Sequence, residues 1–477
     1  MTSTLRGRRW ALRPLRGWWP LCIAIAVIIV FAVWDARVRR TDRPGFCPPD
    51  VSWTCVSRDF PSAWFGLLQS ETWKNVQHAS GSPMASWERD IRLAIGIRPT
   101  PSRWRLWLGD ALLAASAPEG TGICAHPGIL LRTAARCRSF FRRAGEDAVA
   151  QYGDYYYAWR DGFLIASTSH AYVTASLRAP EPALETPRLR DEIAFQWRQA
   201  PEGAILIRGA NDIPVHGHIE IPWTARTTPM SLPNAWPERP ILVVSAARAP
   251  DLLRFGSLAG RFVAGDERWE GACALAAAVV ERWALPDLPE DWHAAIDHCS
   301  MALLDVDFRD PLPMPRLAFA MRPRGFVRAE HPLVAWAEAL HPVRHEWAGQ
   351  GGVVAPLWGQ DLSLCLGRTA MDWLVTTQEP DMARLAAQFG PGSPVHADIA
   401  IRLDWEKLAN ITQSAITRMG DLGLVPGMDA REAAAAWANN IHAVESLGAL
   451  FLEGVAIHDR LEFHGFLAKQ AAKEPLP

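Results

Sequence analysis

From Trp18 to Trp34 the chain carries no charged side chain and is rich in Leu, Ile, Val and Ala, with Trp18, Trp19 and Trp34 at its ends. An apolar run of this length crosses the hydrocarbon core of a bilayer as one helix, because a helix satisfies its own backbone polar groups. Tryptophan favours both interfaces, where the ring is in an apolar layer and its N–H stays wet. The run predicts a transmembrane helix at 18–34, with a cytoplasmic stub at 1–17. A cleaved signal peptide is the competing reading. It needs small residues one and three positions before the cut, and cuts after Trp34 or Ala36 put Trp34 at one of them. An uncleaved signal-anchor fits better.

Arg6, Arg8, Arg9, Arg13 and Arg16 precede the run; Arg37, Arg39, Arg40 and Arg43 follow it with Asp35 and Asp42. The small positive excess in front points the N-terminus to the cytoplasm. The expected orientation is single-pass, with a cytoplasmic N-terminus and an exported C-terminal body. No later segment matches the first: Ala272–Val280 is apolar but short, and Glu281 and Arg282 close it.

The body reads as globular. Of 477 residues 49% are hydrophobic and 21% charged, which excludes disorder, collagen and a many-span transporter. A net charge of −2 gives no field for nucleic acid. Only Lys74, Lys407, Lys469 and Lys473 are lysines, so arginine supplies nearly all the positive charge. The 23 Trp outnumber the 5 Tyr; Trp10, Trp18, Trp19 and Trp34 belong to the apolar run and its flanks, and the other 19 scatter through the body, as core packing and a GC-rich genome would have it.

Export permits disulfides. Nearest-neighbour pairing would join Cys47–Cys55, Cys124–Cys137 and Cys273–Cys299 and leave Cys365 over, with Cys22 in the span; buried reduced thiols are the other reading. No Cys-x-x-Cys occurs, so zinc-ribbon and redox motifs have no support.

Pro229, Pro233 and Pro237 mark a Pro-rich linker at 226–240 between halves at 44–225 and 241–470. Strand patterns include a hairpin over Tyr155–Ser167 turning at Arg160-Asp161-Gly162, a second from Ala302–Phe308 into Arg316–Met321, a buried strand at Ile241–Ala246 and an alternating one at Val395–Leu403. Helix patterns include His170–Leu177, Asp381–Phe389 and a stripe of Leu408, Ile411, Ala415 and Met419. Another starts at Asp429 with Glu432 and carries Trp437, Ile441, Val444, Leu447 and Phe451 to a stop at Gly454. A last hairpin spans Val455–Leu467. Local hairpins with intervening helices predict an α+β fold of antiparallel sheets with packed helices. The halves look related as an internal repeat. Trp107–Leu112, Gly162–Thr168 and His170–Leu177 match Leu357–Leu362, Asp372–Thr377 and Asp381–Phe389.

Catalytic motifs are missing. No phosphate loop is present, and Gly256-Ser257-Leu258-Ala259-Gly260 places Ser wrongly for a nucleophile elbow. His345-Glu346-Trp347-Ala348-Gly349 lacks the second zinc histidine. His216, His218 and Glu220 alternate on a strand and could offer three metal ligands, but Val215, Ile219 and Ile221 make a solvated strand face the simpler reading. Asp305 and Asp307 have the type, not the context, of paired glycosidase acids. His341 and His345 have helical spacing interrupted by Pro342. The reading therefore assigns no catalytic, cofactor or metal residue, and no cofactor. All Tyr lie between Tyr152 and Tyr172, and Tyr155, Tyr157 and Trp159 share one strand face, as a ligand-stacking strip or a cross-strand ladder.

Asp154–Leu177, a hairpin leading to a short helix, and Arg190–Ala210, an amphipathic helix with Ile193 and Trp197, then Pro201 and the strand Ala204–Ile207, carry a resemblance. The chain resembles bacterial single-pass envelope proteins with a large extracytoplasmic domain of unknown function. The resemblance implies a location in the bacterial inner (cytoplasmic) membrane, single-pass, with the C-terminal body extracytoplasmic, as a periplasmic domain. The anchor, the regular hairpins and the missing catalytic motifs point to a membrane-anchored binding or scaffold module, with an envelope protein, glycan or lipid as partner. The alternatives are a membrane-tethered, metal-assisted hydrolase acting on envelope material, and a sensor that would need a second membrane protein for output.

Overall fold

The computed structural model describes mainly residues 45–74, 100–132, 148–221, 230–282, 296–308, 314–323, 342–423 and 430–468, apart from short gaps within these ranges. The apolar run 18–34, Cys22, Cys137 and His341 lie outside the described residues. Among the described residues no helix is long and apolar enough to cross a membrane. The fold is α+β, with a large antiparallel sheet and several helices.

In chain order the first elements are β1 (Trp53–Ser57), α1 (Phe60–Gln69), α2 (Pro101–Trp107), β2 (Leu112–Ala117), β3 (Gly120–Ala125), β4 (Ala150–Tyr152), β5 (Tyr155–Arg160), β6 (Phe163–Ser167), α3 (His170–Arg178), β7 (Glu192–Trp197), β8 (Gly203–Arg208) and β9 (Ile213–Ile219). Then follow β10 (Met230–Pro233), β11 (Leu242–Ala246), α4 (Ala249–Ala264), α5 (Asp266–Arg282), β12 (Ile296–Asp307), β13 (Met314–Pro323), β14 (Val343–Trp347), β15 (Gln350–Trp358), β16 (Leu362–Arg368), β17 (Trp373–Thr376) and α6 (Glu379–Gln388). The last are β18 (Pro391–Val395), β19 (Ile399–Asp404), α7 (Trp405–Asp421), α8 (Ala430–Glu445), β20 (Ala449–Ile457) and β21 (Arg460–Ala468). The chain divides into two compact units, Met1–Phe65 with Ile95–Phe195, and Gly66–Ala94 with Gln196–Pro477.

In the first unit the hydrogen-bonded order is β7–β1–β2–β3–β6–β5–β4, antiparallel from β1 to β4. Strand alternation puts Val56, Leu113, Cys124, Ile165 and Ala158 on one buried face. Helix α3 covers that face with Tyr172 and Val173. Ser169 caps the helix, accepting from the Tyr172 backbone N–H. A Cβ at Gly122 would stand 2.2 Å from the Tyr172 ring, so only glycine on β3 lets the ring lie flat there. Asp161 (φ 48°) and Gly162 (φ 79°) both take the left-handed conformation that a tight two-residue hairpin requires.

In the second unit the order is β8–β9–β21–β20–β19–β11–β12–β13–β17–β16–β15–β14, antiparallel throughout. Helix α6 seals one face with Met382 and Leu385 over Ala302, Ala318 and Leu374. Helix α4 covers another part of the sheet with Leu252, Phe255 and Leu258 against Val244 and Ile399. Helices α7 and α8 pack on each other through Ala409, Ile416, Ile441 and Val444.

Several elements differ from expectation. Residues 192–197 form a strand rather than an amphipathic helix, with Glu192 and Ala194 buried at strand spacing. Helix α8 ends at Glu445, leaves Trp437 51% exposed, and is followed by Gly448 at φ 80°. Phe451 and Gly454 belong instead to β20. On α7 the buried positions are Ala409, Ile416 and Gly420, while Met419 is exposed. Within the Pro-rich stretch, Met230–Pro233 pairs with β18.

Candidate functional site

The aromatic strip lies on the sheet of the first unit. Ala158 points into the core, so its neighbours Tyr157 and Trp159 point outward and stay half-buried. Tyr155 stands directly across from Tyr152 in the β4–β5 pair. These two rings are 59% and 80% exposed. The same outer face continues through Ala166, paired with Tyr157, to Ile123, which is also exposed. Tyr156 faces the other way and meets His170 edge-on at 5.3 Å. The pattern that built the hairpin also aimed its rings at solvent.

His216 and His218 share a face of β9, as the spacing predicts. The structure adds two neighbours that sequence reading missed: His464 opposite His216 and Glu462 opposite His218, both on β21. The His464 Nε2 lies 3.6 Å from the Glu453 carboxylate. Glu220 lies beyond the end of β9, where its backbone N–H donates to the Glu202 carbonyl. Among the described residues no group of three or more His, Cys, Asp or Glu is placed to hold a metal ion. Next along this face Phe451 and Phe466 stack at 5.1 Å, with the Arg402 guanidinium 5.5 Å from the Phe451 ring. Partial burial lowers the Arg402 pKa.

Asp305 belongs to a charged group that alternation alone could not reveal. Its carboxylate accepts from the Val306 N–H and lies 3.6 Å from Arg316. Arg316 donates through Nε (3.2 Å) and Nη2 (2.6 Å) to Asp381 in the first turn of α6, and its Nη1 is 3.3 Å from Glu238. Asp381 is completely buried. Its hydrogen bond holds the Arg316 pKa above the ordinary value, against the desolvation that burial imposes. Lys407 Nζ donates to the Leu304 carbonyl at 3.4 Å and approaches Glu238 at 4.0 Å. The same pairing recurs at Arg248–Asp251, Arg322–Asp372 and Arg239–Asp404, each with a buried aspartate. The planar guanidinium fork matches a carboxylate, which a lysine cannot reproduce. The arginine excess thus finds a structural use, and the group anchors α6 on the sheet.

His345 sits on strand β14 rather than on a helix, 3.2 Å from Glu379 and stacked on Trp347 at 5.3 Å. Ala348 and Gly349 take positive φ in the following turn. The cysteines Cys47, Cys55, Cys124, Cys273, Cys299 and Cys365 are thiols. Cys47 and Cys55 do not pair: Cys47 packs in the core with Val56 and Leu113, whereas Cys55, beside Val56, points to the opposite face. Cys273 is exposed on α5 and Cys299 buried on β12, which leaves that pairing unmade as well.

Comparison with protein families, with curated proteins and with solved structures finds no match to this chain.

Proposed function

We propose that the chain is a single-pass envelope protein, held in the inner membrane by residues 18–34, whose extracytoplasmic body is a duplicated binding or scaffold module. The exposed rings of Tyr152 and Tyr155, backed by Tyr157 and Trp159, carry the binding reading. Exposed aromatic clusters suit stacking on a sugar or on an apolar partner segment. The partner is an envelope protein, a glycan or a lipid.

Strand order supports the duplication. The succession β7–β1–β2–β3–β6–β5–β4 corresponds to β19–β11–β12–β13–β17–β16–β15, with α3 following β6 as α6 follows β17. Register carries the correspondence to single residues. One buried row runs Val56, Leu113, Cys124, Ile165, Ala158. Its counterpart runs Ser245, Ser300, Ala320, Leu374, Gly367.

Two experiments test the proposal. A reporter active only in the periplasm, fused after Pro477, gives signal, while its cytosolic counterpart stays silent; the reverse refutes the topology. A photo-cross-linker at position 155 in intact cells captures a discrete partner that a cross-linker at buried position 158 does not. Equal capture at both positions removes the aromatic strip from consideration.

A further inference from the structure

The segment Gly45-Phe46-Cys47 lies across the buried face of the first unit, and Phe46 and Cys47 are almost fully buried. The Phe46 backbone N–H donates to the Cys124 Sγ at 3.2 Å. A Cβ at Gly45 would come within 3.0 Å of the same sulfur. Phe46 meets Phe163 edge-on at 5.7 Å and lies beneath the Arg160 guanidinium at 4.1 Å. The segment is thus fixed by packing, and it brings the Cys47 thiol into the same cluster as the Cys124 thiol.

We propose that the Cys47 and Cys124 thiols, unbonded in this structure, oxidise to a disulfide in the exported protein, which would tie the segment that follows residues 18–34 to the central strand β3. The inference rests on the export reading for its occurrence in the cell, but not for its geometry. Two thiols and one external disulfide, of the glutathione or dithiol-oxidoreductase class, exchange to give the protein disulfide and two external thiols. The two protons pass with the electron pair to the leaving sulfurs. Alternative pairings are disfavoured by the sheet itself. Cys55 faces away from Cys124, because Val56, not Cys55, shares the row of Leu113 and Cys124. In the second unit Cys365 shares a face with Ala318, while Cys299 pairs with Met321 on the opposite face.

Burial also sets when the bond forms. It pushes the Cys124 thiol up to about 12, so the folded protein holds almost no thiolate for exchange. Oxidation therefore accompanies folding, before the segment closes over β3. Once made, the bond is shielded from small reductants by the same burial.

The test uses the full chain in detergent, unfolded with reductant and refolded in oxidised and reduced glutathione. Remaining thiols are then blocked with N-ethylmaleimide in denaturant, which exposes the buried ones, and the peptides mapped without reduction. The expected result is one linked peptide joining Cys47 to Cys124, with an upward shift of the unfolding midpoint that reductant abolishes. C55A retains both signals. Recovery of Cys47 and Cys124 as maleimide adducts, or linkage of Cys124 to another cysteine, overturns the proposal. Mapping needs no variant, so a misfolded C47A or C124A does not blunt it. A link that forms on refolding but is absent from protein trapped directly in cells upholds the pair and counts against export instead.

Discussion

Replacing Arg316 by Met removes both hydrogen bonds to Asp381 and leaves a carboxylate with no exposed surface beside Met382 and Leu385. Stranding one partner of a buried pair costs about 3–5 kcal/mol, mostly the desolvation of the ion left behind. With a urea dependence of about 1–3 kcal/mol per molar, the midpoint for the second unit falls by about 1–5 M. The companion variant R316M/D381L replaces both charges by apolar groups of similar size. It should recover to within about 1–2 kcal/mol of the parent, because no ion is then buried alone. The assay is urea unfolding of the full chain in detergent, followed by tryptophan fluorescence. A loss below about 1 kcal/mol for R316M, or a double variant at least as unstable as the single, would refute the argument that the pair is held by mutual need.

Three further outcomes follow from geometry already described. Under reductant, burial pushes Cys124, Cys299 and Cys365 up to about 12. The folded state favours the neutral thiol, so this stability is full below about pH 9. It is lost as pH rises toward 12, by about 1.4 kcal/mol per pH unit for each thiol, and C365A should flatten the slope of alkaline unfolding. Gly122→Ala drives a methyl into the Tyr172 ring and should cost about 1–3 kcal/mol in thermal or urea unfolding, whereas Gly153→Ala, with nothing near its Cβ, pays only for its φ of 58°. His458, at φ 57° in the last hairpin, should become more stable by up to about 1 kcal/mol when replaced by glycine, read as a raised unfolding midpoint.

Local chemistry was legible and long-range pairing was not. Asp161-Gly162 announced its hairpin because both residues tolerate positive φ, and the Tyr155–Trp159 alternation announced which rings share a face. Gly162–Leu177 and Asp372–Phe389 read alike and each run from a strand into a helix, β6 into α3 and β17 into α6. Trp107–Leu112 and Leu357–Leu362 also read alike but join different elements. The first leaves α2 and enters β2, while the second joins β15 to β16. Short apolar runs beside Gly and Asp read alike whatever they connect. His464 opposite His216, and Asp381 beneath Arg316, were invisible for another reason. Each pair joins residues far apart in sequence, and no local pattern encodes its partner.

The pairing of β9 with β21 sets a schedule. Strand β9 lies near the middle of the chain, and its outer hydrogen-bonding edge is closed only by the last described strand. Through about half of synthesis, from Ile219 until Arg460 emerges, β9 therefore presents open N–H and C=O groups, the kind of edge that recruits foreign strands. Shortening the chain before Arg460 would make that interval permanent. The closing hairpin is in this sense a latch on the open edge of β9.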